Sequence, residues 1–68
     1  MFQIAWYDPI DGTKEYASRA YPTVRDAALA AGRATLEHGI DMVFDIVVAK
    51  THRIVDGWRE QVPDLETL

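Results

Sequence analysis

Residues 21–39 read YPTVRDAALAAGRATLEHG, and that stretch decides the fold. Tyr21-Pro22-Thr23 closes an extended run and opens a helix. Thr23 is the expected N-cap, because its hydroxyl can accept from a first-turn N–H. Asp26, three residues on, stands where a capping-box acid sits, although Glu or Gln is usual there. Gly39 takes the C′ position and Ile40 is placed to fold back on the last turn. The spacing predicts a helix over Val24–His38. At about 100° per residue, Val24, Ala27, Ala28, Ala31 and Thr35 share one stripe, flanked by Leu29 and Leu36. Asp26, Arg33 and Glu37 lie on the opposite side. A stripe this small lets a helix lie close on a sheet, so tight helix-on-sheet packing is expected.

Toward the start of the chain, Phe2–Tyr7 alternates. Phe2, Ile4 and Trp6 point one way, and Gln3, Ala5 and Tyr7 the other, which predicts a strand. Asp8-Pro9-Ile10-Asp11-Gly12 is a turn. Pro9 fixes φ, Gly12 accepts a left-handed conformation, and Asp8 and Asp11 are typical turn residues. Lys14 to Tyr21 reads as a second strand, forming a hairpin with the first.

Beyond the helix, Met42 to Lys50 is the strongest strand, rich in β-branched residues. Phe44, Ile46 and Val48 share one face; Val43, Asp45, Val47 and Ala49 share the other. Thr51-His52-Arg53 reads as a turn, and Ile54 to Glu60 as a fourth strand. Asp56-Gly57 reads as a bulge or kink in it. The competing reading makes Asp56-Gly57 the hairpin turn itself, but leaves only Trp58 to Glu60 as strand beyond it. The expected architecture is α+β, ββαββ, with a four-stranded, mainly antiparallel sheet and one helix on one face. Residues 1–60 form the domain and 61–68 a C-terminal tail containing Pro63. The other sheet face is expected to stay open.

Composition bounds the function. The chain has 68 residues, one domain near the lower size limit for independent folding. Hydrophobic residues make up 49% and charged residues 26%, which argues against disorder. Its lack of cysteine excludes disulfides and Cys-ligated zinc. The first residues lack a basic, signal-like leader and no apolar run is long enough to span a bilayer, so the expectation is a cytoplasmic protein without a membrane segment. The net charge of −4, with its seven scattered basic residues, disfavours nucleic acid as a partner.

Chemistry-bearing groups are sparse. His38 and His52 are the only histidines, too few to assemble a metal site with Asp45 and Glu37. His38 suits a helix C-terminus and His52 a turn. Ser18 is the only serine and sits in no nucleophile elbow. Asp8 and Asp11 are explained by their turn. Gly32 sits inside the helix with no glycine-rich phosphate loop around it, and reads as a point of close contact with the sheet. No enzyme activity, cofactor or metal is expected.

The order of elements, with Asp26-Ala27-Ala28 in an alanine-rich helix, Gly39, the Ile46-Val47-Val48 strand and Arg53-Ile54 leading to Gly57-Trp58, resembles small ββαββ domains of bacteria and phages over residues 2–60. Some phage-encoded anti-CRISPR proteins are similar in size and element order. That resemblance implies a stoichiometric protein binder or inhibitor.

The residues themselves offer two contact regions. Tyr7 falls on the open face with Ala5, Val47 and Ala49, and Tyr16 joins them if the hairpin keeps register. Asp45, Asp56, Glu60, Asp64 and Glu66 concentrate negative charge in the last third, suited to a basic, nucleic-acid-handling protein. Trp58 reads either as a core residue or as a partner anchor. The expected contacts are therefore Tyr7, Tyr16, Val47, Asp45, Asp56, Trp58 and Glu60. The alternative is a homodimer pairing open faces or edge strands, acting as a regulatory or scaffold protein.

Overall fold

The computed structural model describes residues 1–39 and 43–62. Its elements are β1 (Phe2–Tyr7), β2 (Lys14–Tyr16), α1 (Val24–His38), β3 (Val43–Val48) and a short 3-10 helix (Trp58–Gln61). The fold is α+β: an antiparallel sheet in the order β2-β1-β3, with α1 packed on one face. No helix among the described residues is long and apolar enough to cross a membrane.

The first turn is closed by its own side chains. The Asp8 N–H donates to the Thr13 carbonyl and the Gly12 N–H to the Asp8 carbonyl, both at 2.9 Å. Asp8 Oδ1 accepts from the Ile10 N–H at 2.9 Å. Asp11 Oδ1 accepts from the Thr13 hydroxyl and from the Thr13 N–H. These bonds, the hydroxyl's foremost, hold the Asp11 carboxyl below its ordinary value. Gly12 supplies the positive φ of 78°.

The second strand is shorter than the expected Lys14–Tyr21. The ladder runs from Tyr7↔Lys14 to Ala5↔Tyr16. Ala17 still donates to the Ile4 carbonyl at 2.9 Å, and Tyr21 returns to exchange two bonds with Phe2. Between these pairs the four residues 17–20 face only Gln3 and Ile4, so the chain bulges by two residues.

α1 matches its sequence signals. The Thr23 hydroxyl accepts from the Asp26 N–H at 3.0 Å, and Gly39 takes a left-handed C-cap with φ 60°. Ile40 and Met42 lie outside the described residues. Ala27, Ala28 and Ala31 are completely buried against the sheet. Opposite them the β1–β3 register pairs Phe2↔Val48, Ile4↔Ile46 and Trp6↔Phe44. Ile4 and Ile46 are buried in the core, with Phe2, Trp6 and Phe44 packed against it. Trp6 and Phe44 meet edge to face at 5.6 Å.

The expected fourth strand is not found among the described residues. Ile54 makes one isolated bridge, to Val47, flanked by bonds from Val48 N–H to Arg53 and from Val55 N–H to Ile46. Asp56-Gly57 is neither a bulge nor a hairpin turn. Gly57, at φ 70°, starts the 3-10 helix. The cause lies in Trp58. Along a straight strand, residue 58 would share the open face with Ile54. The left-handed glycine re-aims it to the helix side, where it is 3% exposed among Ile4, Val24, Ile46 and Val62. Val62, beyond the expected domain boundary at residue 60, is part of that core, so the folded body reaches at least this far. Residues 63–68 lie outside the described set.

Candidate functional site

The sheet face away from α1 carries Gln3, Ala5 and Tyr7 from β1, Lys14 and Tyr16 from β2, and Val43, Asp45 and Val47 from β3, as the register requires. Ile54 joins them through its bridge to Val47. Tyr7, Tyr16, Val43 and Ile54 are between 37 and 50% exposed, so four large apolar side chains stand on one face.

Part of this face is nevertheless roofed. Ala5 is 4% and Val47 1% exposed, although no helix or strand among the described residues packs above them. The Tyr16 ring reaches in from one side of the sheet and the His52 ring from the other, and they stack at 3.9 Å with planes 13° apart. His52 adopts φ 57°, the only non-glycine with positive φ among the described residues, and its N–H donates to the Val48 carbonyl at 2.7 Å. Gln3 Oε1, on the same face, is buried without a hydrogen-bond partner among the described residues.

Two hollows flank the roofed part. One, of about 200 Å³, is lined by Ala5, Tyr7, Lys14, Asp45 and Ile54. The other, of about 310 Å³, curves round the β3 edge and is lined by Asp45, Ile54, Val55, Asp56, Gly57, Trp58, Arg59 and Glu60. Asp45 and Ile54 form the wall between them. The Trp58 Nε1 donates to Asp45 Oδ1 at 3.2 Å, the Phe44 ring lies 5.3 Å from the Trp58 ring, and the Arg59 guanidinium sits 4.5 Å above it. Asp45 is thereby held in place while Asp56 and Glu60 remain exposed. Three carboxylates and one guanidinium give the second hollow a net negative character.

Of the residues singled out from sequence, Tyr7 lines the first hollow, Asp56 and Glu60 the second, and Asp45 both. Tyr16 is exposed but already engaged by His52. Val47 and Trp58 are buried, so Trp58 is a core residue that only borders the second hollow and is not an exposed anchor. Asp64 and Glu66 lie outside the described residues. Lys14, Ile54 and His52 were not anticipated. Hairpin parity around Val47 is the signal that would have found Ile54; nothing local announces the His52 stack. No group of three or more possible metal ligands comes together among the described residues. Set beside known proteins, the chain matches no family model, no curated protein and no solved structure.

Proposed function

We propose that this domain is a non-catalytic protein-binding module whose sheet face docks a basic partner. The observation that carries the reading is the shared Asp45–Ile54 wall, which sets an apolar, tyrosine-lined hollow directly beside an acidic one. Such a pair fits a protruding apolar side chain followed by a lysine or arginine: aromatic contact supplies area, and charge supplies orientation. The narrower form of the proposal is a phage-type inhibitor, anti-CRISPR in kind, that masks a basic surface of a nucleic-acid-handling complex. The net charge of −4 and the small size of the chain support it.

Titration with a short peptide of alternating lysine and leucine, followed by amide chemical shifts, tests the reading. Shifts are expected at Tyr7, Asp45, Ile54, Asp56 and Glu60. An Asp56→Lys, Glu60→Lys variant, altered only at exposed positions, should bind on the order of tenfold more weakly. Shifts confined to the outer face of α1, or none at all, would refute it. A second reading follows from Lys14 and Asp45 lining one hollow: across a two-fold axis, Lys14 of each copy would face Asp45 of the other. Light scattering separates the readings, since a monomer at high concentration removes the dimer.

A further inference from the structure

On the helix side the chain has a surface of the opposite sign. A groove of about 540 Å³ runs between the segment leading into α1 and α1 itself, lined by Arg19, Tyr21, Pro22, Asp26, Leu29, Ala30 and Arg33. Asp26, Leu29, Ala30 and Arg33 follow the i, i+3, i+4, i+7 spacing of one helix face. Its floor is apolar: Tyr21 and Leu29 are half-buried and pack against the core. Its walls are cationic. The Arg19 guanidinium lies 5.2 Å from the Tyr21 ring centroid, which holds it along the groove. Arg33 is exposed, and no carboxylate pairs with either arginine among the described residues. In a chain carrying more acids than bases, two guanidiniums without a carboxylate partner among the described residues, against one acid in the lining, form a local positive site over an apolar floor. Asp26 is the one acid in the lining, and it sits in the first turn of α1, where the helix dipole favours its charge. Seven residues separate it from Arg33, about 10 Å along the axis.

We infer that this groove is a second docking site, for an extended acidic segment of a partner polypeptide bearing leucine-like side chains. Apolar side chains of the segment lie on Tyr21, Leu29 and Ala30, and its carboxylates reach Arg19 and Arg33, which can bind them bidentately. The groove and the sheet-face hollows share no lining residue, so the two sites can be tested independently.

The test is fluorescence anisotropy of a short fluorescein-labelled peptide of alternating glutamate and leucine, added to the full chain at low and moderate salt. The expected result is saturable binding that weakens as salt rises. The Arg19→Glu, Arg33→Glu variant should lose on the order of tenfold in affinity for this peptide, while its affinity for the lysine–leucine peptide does not fall. Arg33→Gln should give a smaller loss in the same direction, and Lys50→Glu, a charge change in the turn after β3, none. Circular dichroism confirms that each variant is folded. Absence of binding overturns the inference. So does equal binding by the reversed variant, or a single-stranded oligonucleotide that competes for the same arginines more strongly than the peptide.

Discussion

Replacing Trp58 by alanine tests the least local contact in the fold. The side chain is almost wholly buried and lies against Phe44, Ile4, Val24 and Val62. Truncating a buried tryptophan typically costs about 3–5 kcal/mol in lost burial and residual cavity. At roughly 0.05–0.15 kcal/mol per residue, a chain of this length has a total stability of about 3–10 kcal/mol. The variant should therefore lose at least about a third of its stability and, at the low end of the range, be unfolded at room temperature. With a urea m-value of about 1 kcal/mol per molar, the unfolding midpoint should fall by about 3 M or more. Far-UV circular dichroism reads this without depending on the lost fluorophore. Trp58→Phe retains most of the ring packing but removes the N–H bond to Asp45. Because Asp45 is half-exposed, that loss should be modest, about 1–2 kcal/mol in total. A tryptophan on the surface would give a shift within about 0.5 kcal/mol for either substitution. A midpoint drop under about 0.5 M for Trp58→Ala would refute the core assignment and, with it, the turn that places the residue there.

Gly57→Ala should destabilise by about 1–2 kcal/mol in thermal or urea unfolding, since Gly57 has φ 70° and the nearest atom to an added Cβ is Glu60 Oε2 at 3.7 Å, so the cost is backbone strain rather than a clash. Ala28→Leu should cost about 1–3 kcal/mol by overpacking the helix–sheet seam, and a wild-type melting temperature would show that the seam is not close. Thr13→Ala should return the Asp11 carboxyl toward its ordinary value in a carboxylate NMR titration, because the Thr13 hydroxyl is the main cause of the lowering. A folded-state value below the unfolded one contributes stability that is present above the unfolded value and lost as pH falls through the folded one, so this small contribution should fade below about pH 4 in the wild type and be weaker at neutral pH in the variant. Tyr16→Ala should move the His52 ring-proton resonances by removing the ring current of the stacked phenol, and unchanged shifts would contradict the stack.

The parts of the fold legible in the sequence are those whose causes are local. Thr23, the alanine stripe and Gly39 each specify α1 within one or two turns, and the structure keeps all three. The alternation of β1 and β3 fixed which side chains share a face before their pairing was known, since a one-residue slip would reverse every one. The failures have non-local causes. An Asp-Gly pair can kink, turn or end a strand, and what decided among these was burial of Trp58 and Val62 against α1, more than twenty residues away in sequence. The bulge at residues 17–20 is set by Tyr21 returning to Phe2, which Ala17-Ser18-Arg19-Ala20 does not announce. The acids of the site were visible as a group. Their neighbours Lys14 and Ile54 were not, because both arrive by cross-strand register.

The face left by α1 is narrower than an uncovered sheet, because two rings stack on it. Ile54 opposes Val47, and the turn that precedes it, closed by the His52 N–H on the Val48 carbonyl, carries His52. Tyr16 opposes Ala5. The Tyr16 ring stacks on the imidazole of His52, whose backbone is left-handed. The stacked rings then stand on the same face as the buried Ala5 and Val47. What remains for a partner is displaced to the end near Tyr7, Lys14 and Val43 and to the β3 edge at Asp45 and Ile54. A binder using this side therefore approaches over the first hairpin turn and the Asp56–Glu60 edge, where apolar area and negative charge adjoin, and not over the sheet centre.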